Sequence, residues 1–185
     1  MNKEYTDEYL MTCFRDHGDY RYLEALTDRY SAPAYNFARQ FLFERENAED
    51  AVQETFIKIF RGSEHYDSGH VFAPWFYRIL RNTCFDMLRK RKVYDDHMEK
   101  YEAIVPQSVI PAPELASVSK EYLVHLTKEE REIVLLKVVD DLSFEDIAKV
   151  VGCSVEAAKK RAQRALGRLR AFALKQETEA AALGT

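Results

Sequence analysis

The chain has 185 residues, a hydrophobic fraction of 46% and a formal net charge of −4, which leaves room for one ordinary domain or two small ones. Apolar residues recur every three or four positions, and there are only six glycines and five prolines. This pattern predicts an all-α fold. No apolar run approaches the roughly eighteen residues of a membrane span, and the N-terminus has no apolar signal core. We therefore expect no membrane insertion and a cytoplasmic location.

The side chains that usually carry catalysis or bind metals do not form a recognisable pattern. Cys13, Cys84 and Cys153 are scattered, which favours reduced thiols in a reducing compartment over a zinc site. No glycine-rich phosphate loop, nucleophile elbow or paired-carboxylate signature occurs. We therefore expect no enzyme activity, no metal and no cofactor.

The first half of the chain predicts five helices, near 6–16, 19–30, 33–43, 48–61 and 72–92. Pro33 is expected to start a new helix or to kink the existing one. Asn47 is the predicted N-cap of the fourth helix, and Gly62 is its predicted end. Residues 1–92 are the first predicted domain.

The segment after Lys92 interrupts the helical pattern. Three X-Pro pairs, ending at Pro106, Pro111 and Pro113, punctuate an acidic stretch, which predicts a flexible linker over 93–114. A second helical block follows near 115–125, 128–140, 144–151 and 155–174. It predicts a second small domain over 115–175 and a frayed tail over 176–185.

The second block carries the signals of a helix-turn-helix. Thr127 and Glu130 form a capping box for one helix. Ser143 with Asp146 caps the next helix, Gly152 supplies the turn, and Ser154 caps the third helix.

The third helix of this block separates an apolar stripe from a basic face. The stripe contains Val155, Ala158, Ala162, Ala165, Leu166 and Leu169. The opposite face and its flanks contain Glu156, Lys159, Lys160, Arg161, Gln163, Arg164 and Arg168. Six cations and no acid lie between Lys159 and Arg170, although the net charge of the chain is negative. This local run of cations favours a helix that binds in a DNA major groove over a merely solvated helix face.

Two helices of the first block present possible binding faces. The helix from Ala48 is expected to bury Val52, Thr55, Phe56 and Phe60. Asp50, Glu54 and Arg61 are expected to face outward, with Gln53 at one boundary of the core stripe and Ile57 at the other. An exposed Ile57 beside Asp50 and Glu54 would suit a basic partner surface, and the alternative is an ordinary amphipathic helix.

The helix from Phe72 is expected to bury Phe72, Trp75, Phe76, Ile79, Thr83 and Met87. Arg78, Asn82 and Phe85 share its outward face, and Arg81 and Arg89 flank that face. An amide, an aromatic ring and several cations together indicate a single-strand reader. Trp75 remains a candidate for stacking, although its angle favours the core.

Three segments together resemble the extracytoplasmic-function (ECF) sigma factors, the minimal two-domain bacterial sigma factors. Asp50-Ala-Val-Gln-Glu-Thr-Phe-Ile57 matches the pattern D-x-x-Q-E-x-F. Trp75-Phe-Tyr-Arg-Ile-Leu-Arg-Asn82 resembles W-L-x-R-I-x-x-N. The segment from Leu142 to Gly152 resembles the start of the domain that reads the −35 element.

The resemblance implies a role for each segment. Asp50, Gln53, Glu54 and Ile57 would bind the β′ clamp helices of core RNA polymerase. The −10 strand would be held by Arg78, Arg81, Asn82, Phe85, Asp86 and Arg89 together with the loop 63–71. The basic helix would read the −35 duplex, and its domain would sit on the β flap. Many relatives are also held inactive by an anti-sigma factor.

The recognition helix departs from the usual family pattern in three places. Glu156 either accepts from a cytosine amino group or supports the helix N-terminus. Lys160 stands where Ser or Thr is frequent, and Leu166 where Arg is common. The predicted function is promoter recognition and strand opening with polymerase. The alternative is a stand-alone helix-turn-helix regulator with an N-terminal dimerisation or sensing domain.

Overall fold

The computed structural model describes residues 5–42, 44–97, 123, 125–138 and 141–183. Within these ranges there are seven α-helices and a single 3-10 turn, and no strand. The helices are α1 Asp7–His17, α2 Tyr20–Ala38, α3 Arg45–Arg61, α4 Phe72–His97, α5 Lys128–Val138, α6 Phe144–Val151 and α7 Val155–Leu183. The predicted all-α fold is confirmed. The chain divides into two compact units, residues 1–114 and 115–185.

The first unit is built from α1 to α4, which bury one continuous set of apolar side chains. The fully or almost fully buried residues include Met11, Leu26, Phe37, Ile59, Phe76, Tyr77 and Leu80. α3 lies between α2 and α4 and packs against both. This arrangement leaves one side of α3 and one side of α4 available for partners.

Pro33 neither starts nor ends a helix, so the prediction of separate helices over 19–30 and 33–43 was wrong. It lies inside α2, which is one helix from Tyr20 to Ala38. An internal proline costs roughly 3 kcal/mol because it removes a hydrogen bond and crowds the preceding turn. The helix continues because Ala34, Phe37 and Ala38 on its far side are buried in the core. Tertiary packing therefore outweighs the local penalty.

α3 begins earlier than the capping pattern predicted. Its N-cap is Glu44, which makes no side-chain capping bond, and Asn47 lies inside the helix. The Asn47 amide instead donates to the Glu44 carboxylate over 2.6 Å. At the other end the prediction is confirmed, because Gly62 is the C-cap and its N–H donates to the Lys58 carbonyl.

The second unit packs α5, α6 and α7 against each other. Its innermost side chains are Ile133, Leu136, Ile147, Ala158 and Ala165, each fully buried. Two alanines among them permit a close approach of α7 to its neighbours.

Two predicted segment boundaries differ from the structure. α7 extends to Leu183, so most of the tail predicted to be frayed is helical. α4 extends to His97, into the predicted linker. The rest of that linker and almost all of the helix expected near 115–125 lie outside the described residues.

Candidate polymerase- and DNA-binding sites

One side of α3 presents the four residues expected to bind polymerase. Asp50 and Gln53 are exposed, Glu54 is half-buried, and Ile57 is 41% exposed. The spacing of three and four residues places them along one strip of the helix. An exposed isoleucine among carboxylates is a mixed apolar and acidic surface, which suits a partner with both arginines and apolar side chains.

Phe60 extends this strip instead of entering the core, so its predicted burial was wrong. It is 42% exposed, whereas its neighbour Ile59 is fully buried. Its ring stacks on Tyr20 at 5.8 Å between centroids and also contacts Phe14. The start of α2 thus covers only one face of the ring. The strip therefore ends in an exposed aromatic pair.

A groove between α3 and α4 adjoins the strip. It is lined by all four strip residues and, from α4, by Asp86 and Arg89 among others. Lys58 crosses between the helices and donates to the hydroxyl of buried Thr83 over 2.9 Å. Asp86 lies 3.9 Å from the same amine and pairs with Arg89. The structure therefore places Asp86 and Arg89 beside the α3 acids, whereas the sequence analysis assigned them to the −10 strand together with Asn82.

The outward face of α4 contains the remaining residues of the predicted single-strand reader. Arg78 and Asn82 are exposed. Phe85 is half-buried, with its ring 5.3 Å from that of Phe41. The Arg81 guanidinium lies 4.5 Å from the Phe85 centroid, which is a cation–π distance. Phe85 is therefore not an open stacking platform, because Phe41 and Arg81 already pack against its ring. Arg78 and Asn82 are the exposed members of this face.

The segment between α3 and α4 forms a short, ordered loop. A 3-10 turn spans Ser63–His65, and Tyr66 is 2% exposed. Burial raises the pKa of the Tyr66 hydroxyl to about 12. Trp75 is half-buried and packs 5.1 Å from the Tyr66 ring, which supports the interpretation of Trp75 as a packing residue.

The predicted capping pattern of the second unit is confirmed bond by bond. Thr127 N–H donates to the Glu130 carboxylate over 3.0 Å, and Glu130 N–H donates to the Thr127 hydroxyl over 3.3 Å. The hydroxyls of Ser143 and Ser154 accept from N–H groups three residues on.

Gly152 completes the helix-turn-helix. It has φ 76°, a left-handed conformation that favours glycine. Its N–H closes α6 on the Ala148 carbonyl. α6, this turn and α7 together form the motif, with α7 in the position of the recognition helix.

The predicted outer face of α7 is exposed at Glu156, Lys160, Gln163 and Arg164. Lys159 lies half-buried, 3.6 Å from the Glu156 carboxylate. Leu166 is 46% exposed, so its assignment to the buried stripe was wrong. The buried stripe of α7 consists of Ala158, Ala162 and Ala165, and α7 packs against α5 and α6; Leu166 lies outside the buried stripe.

The two cations on the flank of α7 turn towards α5. Arg168 lies 3.5 Å from the Glu130 carboxylate, which is almost fully buried. Arg161 is half-buried and lies near Glu129. The pKa of Glu129 is lowered, first by its backbone N–H at the helix N-terminus and, to a smaller extent, by Thr127 and Arg161. The structure thus divides the predicted cations into an outward set and a set engaged with α5.

Neither unit shows a metal centre or a membrane span in its described part. Over those residues no three His, Cys, Asp or Glu side chains cluster as metal ligands. None of the described helices is long and apolar enough to cross a bilayer.

These features define a class of protein before any comparison. A helix-turn-helix with an exposed basic face lies in one unit, and an exposed strip of mixed acidic and apolar side chains on α3 lies in the other. The helix-turn-helix with its basic face is typical of a DNA-binding protein.

Comparison with known proteins identifies the family. Residues 26–93 match the family described as Sigma-70 region 2, and residues 120–169 match Sigma-70, region 4. The RNA polymerase sigma factor CarQ of Myxococcus xanthus is 32% identical over 174 residues, covering 92% of this chain and 99% of that protein. The ECF RNA polymerase sigma factor SigW of Bacillus subtilis is 27% identical over 167 residues, covering 83% and 89%.

The fold is also similar to that of a sigma factor of known structure. The sigma factor RpoE of Bartonella quintana, crystallised with the anti-sigma factor NepR, has a TM-score of 0.65 at 27% identity, covering 82% of this chain and 96% of that one. The chain belongs to the ECF family of RNA polymerase sigma factors. It is a transcription initiation factor that binds core RNA polymerase and promoter DNA. This family membership decides against the alternative of a stand-alone helix-turn-helix regulator.

Proposed function

We propose that the exposed strip of α3 is the surface on which core RNA polymerase docks. The supporting observation is that Asp50 and Gln53 are exposed and Glu54 half-buried beside Ile57, an apolar side chain that is 41% exposed. The arginines of the β′ clamp helices would meet the two carboxylates, and Ile57 would anchor the centre. Phe60 continues the strip and adds aromatic surface at its end.

The docking proposal is tested by co-elution with sigma-free core polymerase on a sizing column. Reversing the charge in Glu54→Arg should abolish stoichiometric co-elution, because a cation then faces the clamp arginines. Glu24→Arg, an exposed acid on α2, is the matched control and should co-elute as the unaltered chain does. Equal co-elution of both variants would refute docking through α3.

A second assignment concerns the −10 element. Asn82 and Arg78 are exposed on α4, the helix that follows the loop 63–71. We assign Asn82 to a base edge and Arg78 to phosphates. Arg81 and Phe85 are already stacked on each other, so they support that face from below.

Asp86 and Arg89 have a different environment. They line the groove shared with the α3 acids, so we place them where the −10 strand would pass towards the polymerase clamp.

The −35 element is assigned to α7. Lys160, Gln163 and Arg164 are exposed, and these residues, with Glu156 at the helix start, would meet base edges and phosphates. Lys159 flanks them, while Arg161 and Arg168 lie at the α5 boundary. The same unit would sit on the β flap of polymerase.

The wider organisation follows from these sites. Residues 1–92 would be the polymerase- and −10-binding domain, 93–114 the linker, 115–175 the −35-binding domain and 176–185 the tail. The chain would act in the cytoplasm with polymerase, without catalysis of its own. An anti-sigma factor is a proposed partner, because the similar RpoE structure holds one.

A further inference from the structure

The loop between α3 and α4 is anchored by a helix that is distant in sequence. The Arg15 guanidinium of α1 donates to the Tyr66 backbone carbonyl over 2.8 Å, across 51 residues. The Glu8 carboxylate of α1 accepts from the Phe72 backbone N–H over 3.0 Å, across 64 residues. α1 therefore binds the loop near its middle and at its end.

The Glu8 contact supplies a cap that the local sequence lacks. The first N–H groups of a helix have no partner within the helix, and the residue before α4 is Val71, whose side chain cannot accept a hydrogen bond. Glu8 satisfies the Phe72 N–H from a different helix, and its negative charge also suits a helix N-terminus. The direction in which α4 leaves the loop thus depends on α1.

The loop is also closed internally. The Tyr66 hydroxyl donates to the His70 carbonyl over 2.8 Å, while its ring packs on Phe72 and Trp75. Asp67 accepts from Gly69 N–H over 2.9 Å and pairs with His70 over 3.0 Å. With its backbone fixed in this way, the loop directs the exposed side chains of 67–70 outward.

We propose that Glu8 and Arg15 are positioning residues for capture of the −10 strand. They would hold the loop 63–71 in its binding shape before DNA arrives. A preformed loop lowers the ordering cost of binding, and this matters because extracting a base from the stack already costs a few kcal/mol. The proposal depends on the −10 role assigned above to this loop and Asn82.

Four variants test the proposal. Glu8→Ala removes the acceptor for Phe72 N–H, whereas Glu8→Gln keeps an acceptor oxygen at the same place. Arg15→Met removes the donor to Tyr66 and also the pair with Asp16. Arg21→Met is the matched control, because it breaks a similar exposed pair with Asp19 away from the loop.

Two measurements read the effect. In the free protein, Trp75 is the sole tryptophan and packs on Tyr66, so its quenching by acrylamide reports loop opening. Amide exchange over 63–71 gives the same information residue by residue. In the reassembled holoenzyme, the probe is a pool of single-stranded oligonucleotides that unaltered holoenzyme has selected from a randomised pool.

We expect Glu8→Ala and Arg15→Met to retain polymerase co-elution, which requires that the first unit, where both residues lie, stays folded. Their retention of the selected oligonucleotides should fall about tenfold each, in line with loss of one charged hydrogen bond. Glu8→Gln and Arg21→Met should change retention by less than about twofold.

Three results would overturn the proposal. They are unchanged retention in both loop variants, an equal loss in Arg21→Met, and a loss that parallels lost co-elution. If unaltered protein co-elutes but selects no strand, the −10 assignment and this proposal fail together.

Discussion

Arg168 of α7 is expected to stabilise the second unit more than it contributes to DNA binding. Its guanidinium lies 3.5 Å from the carboxylate of Glu130, whose side chain is 5% exposed. That carboxylate also accepts the capping bond from Thr127. Replacing Arg168 by Gln removes the neutralising charge from a carboxylate that water hardly reaches.

The magnitude follows from the burial of the two partners. Breaking a fully buried pair costs 3–5 kcal/mol, whereas an exposed pair contributes about 0–1 kcal/mol. Here Glu130 is buried but the Arg168 side chain is 52% exposed, so we expect about 1–2 kcal/mol. For a unit of this size that corresponds to a midpoint about 4–15 °C lower.

The assay combines unfolding with salt-dependent DNA binding. Lys160→Gln is the control, since Lys160 is exposed and makes no ion pair within the described ranges. Each lost phosphate contact should reduce the slope of log affinity against log salt by about 0.9. Lys160→Gln should lower this slope and leave the midpoint unchanged, and Arg168→Gln should do the reverse. A lower slope with an unchanged midpoint in Arg168→Gln would show that Arg168 contacts phosphate and does not stabilise the unit.

Three further predictions concern stability. Because the folded pKa of Tyr66 is raised to about 12, its contribution is present below the ordinary value near pH 10 and is lost as pH rises towards 12, by about 2–3 kcal/mol. Tyr66→Phe should lack that alkaline loss in urea unfolding at about pH 9 and pH 11; an identical loss would assign it elsewhere. Gly152→Ala should destabilise the second unit by about 1 kcal/mol because φ is 76°, with no clash at the new Cβ, and an unchanged midpoint would contradict this. Ile147→Ala, at a fully buried site, should cost about 2–5 kcal/mol, visible as faster amide exchange in α5 to α7 but not in α1 to α4.

The features that sequence reasoning predicted well are local. The capping box at Thr127, the Ser143 and Ser154 caps and the Gly152 turn each involve residues within three or four positions of one another. Their geometry is set by backbone rules that apply in any fold. The outward strip of α3 also follows from helical periodicity alone.

Several features that sequence reasoning missed depend on distant partners. Pro33 lies within α2 because the helical residues that follow it are buried in the core. Phe60 is exposed because Tyr20 offers it a surface partner. Arg168 turns towards Glu130, and Glu8 caps α4 from α1. No spacing rule relates residues so far apart in sequence, so these contacts could be found only from the three-dimensional structure.

We expect the chain to direct polymerase to promoters and to hold the opened −10 strand. The most direct test is run-off transcription by core polymerase from a promoter selected with the unaltered chain, combined with permanganate detection of unpaired thymines. We predict transcription and strand opening that depend on the chain. Asn82→Ala should co-elute with polymerase yet give neither. Binding of the chain alone, as a dimer on a palindromic duplex with no effect on transcription, would exclude both roles.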